Sequence, residues 1–334
     1  METLIINMGS STTTIYREGE GVVLKEASLV ALTGSGKDQV IKAIGNRAKR
    51  MIGRTSSDVQ VVSPIFEGVI SDTDLASNML KYFIEKIYGT GVFKPKICAI
   101  VCTPLGVSVA EKKAFEKVCY NAKILDVELI PNVFCAALGL DLKVNTPRAV
   151  MVVGIGATVT NIAVLSLNNV VNGVCVSIGG KNIDRAIENE IKDKLKMEIG
   201  EDVAERIKKE VGSLYRNNTL AIEIEGVDIE TRGVRKETIY SKNIYDILSY
   251  YYDKVIDGVS AVLASCPPDV VSDIKNDCIY FYGGSSQITG LDYYLKNNLH
   301  LNVNVAENSE ECEIVGVKRL LENPKQLENI IKNV

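Results

Sequence analysis

The feature that most constrains the fold of this chain is a pattern that occurs twice, once at its beginning and once near its middle. In each copy an apolar run leads into a Gly/Ser/Thr-rich turn, which is followed by a second apolar run and a reversal. When Gly9 is placed on Gly156, the runs 3–6 and 149–153 and the turns that follow them nearly coincide. Such self-similarity indicates an internal duplication, so we expect two related domains.

Helical patterns fill the chain between and after these strands. Residues 72–88 carry an apolar side chain at every third or fourth position, and Ser108 with Glu111 forms a capping box for a further helix. Strands and helices that alternate in two similar halves predict an α/β fold of two related domains, with two small inserted subdomains. The expected ranges are 1–31 and 64–145 for the first core, 32–63 for its insertion, 146–180 and 241–334 for the second core, and 181–240 for its insertion.

Charge and composition exclude several classes of function. The 38 basic and 42 acidic residues give a net charge of −4, which offers no basic field for a nucleic-acid backbone. His300 is the single histidine, so a histidine-rich metal site is impossible and a Ser/His pair would depend on that one residue. Without a cationic leader or an apolar run long enough to span a bilayer, the sequence predicts a cytoplasmic protein.

The two turns of the duplication are candidate phosphate sites. A tight Gly/Ser/Thr turn leaves backbone N–H groups and hydroxyls facing outward, which suits an anion and phosphate above all. One such turn is equally an ordinary hairpin, but two in matched positions could clamp a phosphate chain from both sides. Gly179-Gly180 and Gly283-Gly284 each follow an apolar run and precede a helical pattern. The run 33–38 resembles the end of a phosphate loop. The spacing of that loop requires Gly at position 31 and Ser or Thr at position 38, where this chain has Ala31 and Asp38, so we interpret the run as a surface turn.

Several longer runs carry a resemblance to a known family. They are Gly19-Glu20-Gly21-Val22-Val23-Leu24-Lys25-Glu26-Ala27-Ser28, Met51-Ile52-Gly53-Arg54-Thr55, Gly68-Val69-Ile70-Ser71-Asp72, Met79-Leu80-Lys81-Tyr82-Phe83-Ile84, Val101-Cys102-Thr103-Pro104, Glu205-Arg206-Ile207-Lys208-Lys209-Glu210-Val211-Gly212-Ser213 and Cys266-Pro267-Pro268. On these runs the chain is identified as a divergent member of the MreB family of bacterial actin-like proteins, within the actin, chaperone and sugar-kinase superfamily. The resemblance extends over about residues 3–320.

The resemblance implies an actin-like, ATP-binding fold in which each of the two domains is a mixed sheet flanked by helices. It also implies assembly into membrane-bound double filaments that serve in cell shape. By position it assigns the cofactor-binding residues Gly9, Ser10, Ser11 and Thr12 (first phosphate turn), Gly156, Ala157 and Thr158 (second turn), Gly283, Gly284, Ser285 and Ser286 (adenosine loop), and Glu205 and Lys208 (ribose and base). Without the resemblance, Glu205 and Lys208 would be interpreted as an exposed ion pair one helical turn apart.

The chain departs from the family at the acidic residues of its chemistry. Asn7 and Gly154 stand where each phosphate turn begins with an aspartate, and Pro131 and Asn132 stand where the family has two glutamates. The aspartates orient hydrated magnesium, and one glutamate polarises the attacking water. We therefore expect no catalytic residue and no metal ligand: ATP binds weakly, Mg²⁺ is doubtful, and hydrolysis is poor or absent.

A membrane contact is expected at residues 89–96, where the family carries an apolar loop that enters the bilayer. Val92 and Phe93, beside two lysines, suit such a loop and predict a peripheral location at the inner face of the cell membrane. The alternative is that Phe93 packs on its own domain.

Three functions stay open at this point. The first is a filament protein with a degenerate nucleotide site, whose partners are further copies of itself, the membrane surface and MreB paralogues, and not nucleic acid. The second is an active filament ATPase in which another carboxylate replaces the missing ones. Asp184 is the candidate for that role, although it lies in what we interpret as a different strand-to-helix turn. The third is a non-polymerising regulator of a true MreB.

Overall fold

A computed structural model describes residues 2–34, 36–54, 58–91, 95–307 and 312–333. The chain forms two compact units, Met1–Asn145 with Cys312–Val334, and Thr146–Glu311. Each unit has a hydrophobic core of its own. None of the described helices is both long and apolar enough to cross a membrane.

Over its described residues, the first unit begins with ten strands and four helices. They are β1 (Glu2–Met8), β2 (Thr12–Arg17), β3 (Gly21–Ala27), β4 (Val30–Thr33), β5 (Val40–Ile44), α1 (Asn46–Lys49), β6 (Val59–Val62), β7 (Ile65–Phe66), β8 (Val69–Ile70), α2 (Thr73–Tyr88), β9 (Ile97–Thr103), α3 (Val109–Asn121), β10 (Asp126–Pro131) and α4 (Asn132–Gly139). The central sheet has the order β10-β9-β1-β2-β3, and β5-β4-β6 form a small sheet over most of the predicted insertion.

The alternation of side chains along β1 separates a core face from a polar face. Leu4, Ile6 and Met8 enter the core formed with α2 and α3, and Asn7 therefore lies on the opposite face of the sheet. Ser108 forms the expected capping box of α3 over the core face, and Asp72, the first residue of the predicted helical stripe, caps α2.

Eight strands and five helices lie in the part of the second unit that the structure describes. They are β11 (Val150–Ile155), β12 (Thr160–Ser166), β13 (Asn169–Val176), α5 (Gly180–Leu195), β14 (Met197–Glu198), α6 (Glu201–Val211), β15 (Ala221–Asp228), β16 (Val234–Tyr240), α7 (Ser241–Ala264), α8 (Pro268–Lys275), β17 (Ile279–Tyr282), α9 (Leu291–Leu299) and β18 (Val303–Val305). The central sheet has the order β13-β12-β11-β17-β18, and β14-β15-β16 form a second sheet inside the predicted insertion.

The two central sheets repeat one topology. In each, the first strand pairs antiparallel with the strand after the turn and parallel with a strand from later in the unit. The correspondence runs β1 with β11, β2 with β12, β3 with β13, β9 with β17 and β10 with β18. This confirms the α/β fold of two related halves that the repeated sequence pattern predicts.

The chain ends with two helices, α10 (Cys312–Glu322) and α11 (Pro324–Lys332), which belong to the first unit. The sequence analysis instead assigned 241–334 as a whole to the second core. The difference has a physical cause in the close packing of α10 on α4, where a Cβ atom on Gly316 would lie 1.6 Å from the carbonyl oxygen of Cys135. Such an approach between backbones requires glycine, and the apolar pattern of α10 does not reveal which unit it meets.

Candidate functional site

The first turn (Gly9–Thr12) is a tight hairpin held by its neighbours. The Gly9 N–H donates to the carbonyl oxygen of Thr12 at 3.0 Å, and a Cβ atom on Gly9 would lie 2.9 Å from that oxygen. The Ser28 hydroxyl donates to the Gly9 carbonyl at 2.6 Å, and the Gly68 N–H donates to Ser10 Oγ at 3.2 Å. These hydrogen bonds hold the turn in place, and at Gly9 no side chain covers its backbone.

The second turn (Gly156–Val159) closes in the same way. The Gly156 N–H donates to the Val159 carbonyl oxygen at 2.9 Å. Two carbonyl groups of this turn face α5, where the Gly180 N–H donates to the Gly156 oxygen at 3.0 Å and the Lys181 N–H donates to the Ala157 oxygen at 2.7 Å. Two of the N–H groups at the start of α5 are thus already satisfied, so an anion held here would depend on the N–H groups of the turn itself.

The glycine-rich loop Gly283–Ser286 is joined to the second turn. Gly283 has φ +93°, and a Cβ atom there would lie 2.5 Å from the Ile155 carbonyl oxygen. Ser285 Oγ donates to the Gly156 carbonyl at 2.9 Å, and the buried Tyr252 hydroxyl donates to the Ser285 carbonyl. The structure therefore brings together the second turn and the predicted adenosine loop, and Ser285 links them.

Lys208 lies beside this loop, and its ion-pair partner is Asp184 and not Glu205. Its side chain is buried, and its Nζ atom lies 2.7 Å from Asp184 Oδ1 and 3.0 Å from the Gly180 carbonyl oxygen. Glu205 forms an ion pair with Lys209 at 2.7 Å. The alternative of an exposed pair between Glu205 and Lys208 is therefore wrong for Lys208.

Asp184 lies inside α5, four residues after its first residue, and not in a strand-to-helix turn as the sequence analysis expected. Burial raises the pKa of Asp184, and the Lys208 ammonium group beside it opposes that change. The carboxylate is thus engaged in a buried ion pair, which disfavours it as a substitute for a missing catalytic acid.

The space for an acid at Gly154 is filled by an aromatic ring. A Cβ atom on Gly154 would lie 2.3 Å from Cζ and 2.4 Å from the hydroxyl oxygen of Tyr282. Tyr282, at the end of the neighbouring parallel strand, is 2% exposed. An aspartate at position 154 is therefore not only absent but excluded by the packing of Tyr282.

The acid positions of the first unit adjoin a carboxyl group that the sequence analysis did not identify. Glu313, in the first turn of α10, accepts a hydrogen bond from Asn7 Nδ2, and its carboxyl group is also hydrogen-bonded to the side chain of Asn132. Part of the Glu313 side chain is exposed, but the carboxyl group is buried. This burial raises the pKa of Glu313 to about 7, although the two amides act in the opposite direction.

The sequence does contain a signal for Glu313. Gly316, Val317 and Leu320 are buried on one face of α10, and Glu313 occupies the same stripe, three, four and seven residues before them. A glutamate inside an apolar stripe needs a polar partner, and Asn7 and Asn132 are the partners found here. Pro131 ends β10, which makes Asn132 the first residue of α4.

The predicted site residues thus fall into two groups, one in each unit. The first turn lies with Asn7, Asn132 and Glu313, and the second turn lies with the adenosine loop and Lys208. Val92 and Phe93 fall outside the residues that the structure describes. Within the described ranges no group of three histidine, cysteine or acidic side chains could hold a metal ion.

Comparison with known families gives a match over nearly the whole chain. The MreB/Mbl protein family model matches residues 1–329. The cell shape-determining protein MreB of Escherichia coli (strain K12) is 34% identical over 322 residues, which are 96% of this chain and 93% of that protein. The cell shape-determining protein Mbl of Bacillus subtilis (strain 168) is 33% identical over 325 residues, 96% of each chain.

Solved structures show the same fold. The crystal structure of MreB5 of Spiroplasma citri bound to AMPPNP superposes with a TM-score of 0.90 at 28% identity, and covers 100% of this chain and 99% of that one. The double helical filament of MamK has a TM-score of 0.78 at 20% identity, with 96% and 99% of the two chains covered. At that identity the MamK match supports the fold alone.

Proposed function

The chain belongs to the MreB/Mbl family of actin-like, cell shape-determining proteins, and from this premise we propose that it is a cytoskeletal protein that assembles with itself into double filaments. The observation that carries the proposal is the match to this family along nearly the whole chain. MamK, which shares the fold, forms a double helical filament.

The nucleotide part of the proposal is weak binding of ATP. The relative MreB5 binds AMPPNP and ADP, and this chain has two glycine turns of the same closure, with a third glycine loop joined to the second turn. Two features weaken binding: Ala157 adds a side chain to the second turn, and the Lys208 ammonium is already neutralised by Asp184. Because Asn7 and Gly154 carry no carboxylate, binding depends little on Mg²⁺.

Hydrolysis is proposed to be poor or absent. The reaction needs a positioned water, a carboxylate that polarises it and a metal ion that holds the developing charge. Loss of one such group costs roughly a hundredfold in rate. The packing of Tyr282 against Gly154 supports this part of the proposal, since the second acid position leaves no room for a carboxylate.

Electron microscopy and phosphate release from the purified protein test the filament and the nucleotide site together. We expect double filaments with ATP, with ADP and without nucleotide, and phosphate release at least a hundredfold below that of an active bacterial MreB assayed in parallel. A magnesium-dependent ATPase rate equal to that of the active MreB would contradict the degenerate site. Polymer only in the presence of a paralogue would replace self-assembly by co-assembly, and no polymer in either case would favour a regulator.

We also propose a peripheral location at the inner face of the cell membrane, with Val92 and Phe93 as the contact. The support is the composition of residues 89–96, in which two apolar side chains lie next to two lysines. Insertion of two such side chains and attraction to anionic lipid give weak, additive binding.

Pelleting with liposomes that contain anionic lipid tests this contact. The double variant Val92→Ser/Phe93→Ser should lose most of the bound fraction. The matched control Val109→Ser/Phe66→Ser removes one valine and one phenylalanine that are 71% and 48% exposed elsewhere in the first unit, and it should bind like the wild type. Equal pelleting of all three proteins would remove residues 92 and 93 from the proposal.

A further inference from the structure

Glu313 brings a carboxyl group from α10 to the two asparagines that occupy acid positions of the family. Asn7 Nδ2 donates to Glu313 Oε2, and the amide of Asn132 is hydrogen-bonded to the same carboxyl group. Asn132 Oδ1 is buried and has no hydrogen-bond partner in the part of the chain that the structure describes. A neutral carboxyl group carries an O–H donor, and this acceptor can take it once the amide of Asn132 turns over.

Helix α10 holds Glu313 in this position. The helix lies so close to α4 that a Cβ atom on Gly316 would come within 1.6 Å of the Cys135 carbonyl oxygen. Further along α10, Arg319 binds Asp141, just beyond α4, at 2.9 Å. Both contacts fix the helix, and with it the backbone from which the Glu313 side chain extends.

No cation among the described residues faces this carboxyl group. The titratable side chains around it are the thiols of Cys102 on β9 and Cys135 on α4, the phenol of Tyr16 on β2, and the thiol of Cys312 on α10 itself. Among the groups that the structure describes, two amide donors alone counter the negative charge of an ionised Glu313.

The cluster lies next to the first turn, because Asn7, near the end of β1, precedes Gly9 by two residues, which is roughly 7 Å between Cα atoms in an extended chain. A phosphate group bound at the turn adds negative charge near the Glu313 carboxyl group. In a partly buried site this charge disfavours an ionised carboxylate.

We infer that Glu313 is the residue through which the first turn binds a phosphate-bearing nucleotide together with one proton, in place of the magnesium ion that the missing acids would orient. The step is a protonation: the Glu313 carboxylate takes one proton from solvent as the nucleotide binds and returns it on release. The inference rests on the proposed nucleotide binding and adds that the Glu313 carboxyl group sets the affinity for the nucleotide.

The direction in which pH changes the nucleotide affinity follows from the ionisation of Glu313. With the pKa of Glu313 at about 7 in the free protein, most molecules carry an ionised Glu313 at pH 8. Binding must then take up nearly one proton, so the affinity falls by up to about tenfold per pH unit above pH 7. A glutamine at position 313 is always neutral and needs no proton.

The test is equilibrium binding of a fluorescent ATP analogue in EDTA at pH 6.0–8.5 to the wild type, Glu313→Gln and Glu322→Gln. Glu322 lies at the exposed end of the same helix and serves as the matched control. We expect Glu313→Gln to bind about tenfold more tightly than the other two at pH 8 and nearly equally at pH 6. Because all three proteins meet the same ligand, ionisation of the ATP analogue cancels in the comparison.

A wild-type pH profile parallel to that of Glu313→Gln would overturn the inference and leave nucleotide binding intact. No binding by any of the three proteins at any pH would contradict the proposed nucleotide site, and the inference with it. If Glu313→Gln does not fold, titration calorimetry of the wild type at pH 8 in buffers of different ionisation enthalpy gives the answer, since uptake of close to one proton is expected and uptake of none overturns it.

Discussion

Gly154 and Tyr282 form a pair in which one residue occupies the space that the other leaves. The ring of Tyr282 lies where the first side-chain atom of residue 154 would be, 2.3 Å from that position. From the sequence, Gly154 could be recognised only as a missing acid. The ring that fills the space comes from β17, more than a hundred residues later, and only the pairing of β11 with β17 reveals it.

This pair predicts non-additive effects on stability. Gly154→Ala should lower the free energy of unfolding by about 2 kcal/mol or more, because the new methyl group overlaps a buried ring. In a Tyr282→Ala background the same change should cost much less, since the ring is gone. Guanidinium unfolding of the four proteins measures the coupling, and additive losses would contradict the overlap.

Glu313 predicts a pH dependence of stability at the same scale. Its pKa is raised from 4.5 to about 7, so the folded state holds the proton where the unfolded state has lost it. The stabilising contribution is fully present below pH 4.5 and is lost as the pH rises through 7, a change of up to about 3 kcal/mol.

Thermal unfolding from pH 4.5 to 8 compares the wild type with Glu313→Gln to test this contribution. The Glu313→Gln variant should lack the decrease and be the more stable protein at pH 8, and Glu322→Gln should follow the wild type. A Glu313→Gln curve that parallels the wild type across this range would show that the carboxyl group does not titrate there.

At the scale of elements, the close packing of α10 on α4 joins the C-terminal helices to the first unit. Gly139 and Gly316 both face backbone of the other helix, with Cβ positions 1.8 Å and 1.6 Å from carbonyl oxygens. Neither glycine could be singled out from the sequence, because each lies among residues with an ordinary helical pattern. A glycine that lets two helices touch has no local signature.

Gly316→Ala should therefore destabilise the first unit strongly, by about 3 kcal/mol or more, since the helices must separate to admit the methyl group. Gly91→Ala is the matched control, because a Cβ atom there meets nothing within 4 Å. Hydrogen exchange resolved by peptide should show faster exchange in α4 and α10 for Gly316→Ala alone. Unchanged protection in α10 would contradict the close contact.

Other elements follow from the sequence more directly. The capping residues Asp72 and Ser108 and the apolar stripes fix where α2 and α3 begin and which faces they bury. The same reasoning places α10 as an amphipathic helix but says nothing about its partner, because an apolar stripe specifies burial and not the surface that buries it.

At the scale of the whole molecule, the duplication is the part of the fold that the sequence predicts best. The turns that begin at Gly9 and Gly156 are closed by the same kind of backbone hydrogen bond. Each follows the first strand of its unit, and the two strands have the same position in two sheets of matching strand order. The division of the chain between the units is predicted less well, because residues 312–334 return to the first unit after the second is finished.

That return predicts the effect of a truncation. A chain that stops at Glu311 lacks α10 and α11, so its first unit should lose protection from proteolysis while residues 146–311 keep theirs. Removal of residues 333 and 334 alone is the control and should leave both units protected. If the first unit of the chain that stops at Glu311 resists proteolysis as well as it does in the full chain, the first unit does not depend on α10.

The same connection sets an order of events during synthesis. A ribosome produces all of the second unit before it produces α10, so the later half of the duplication can complete its core while the earlier half is still waiting for its last helix. Until α10 arrives, the face of β1 that carries Asn7 and the glycine surface of α4 are uncovered. The first half of the protein to be translated is thus the last to be completed, and in that interval it exposes a surface that α10 covers in the folded protein.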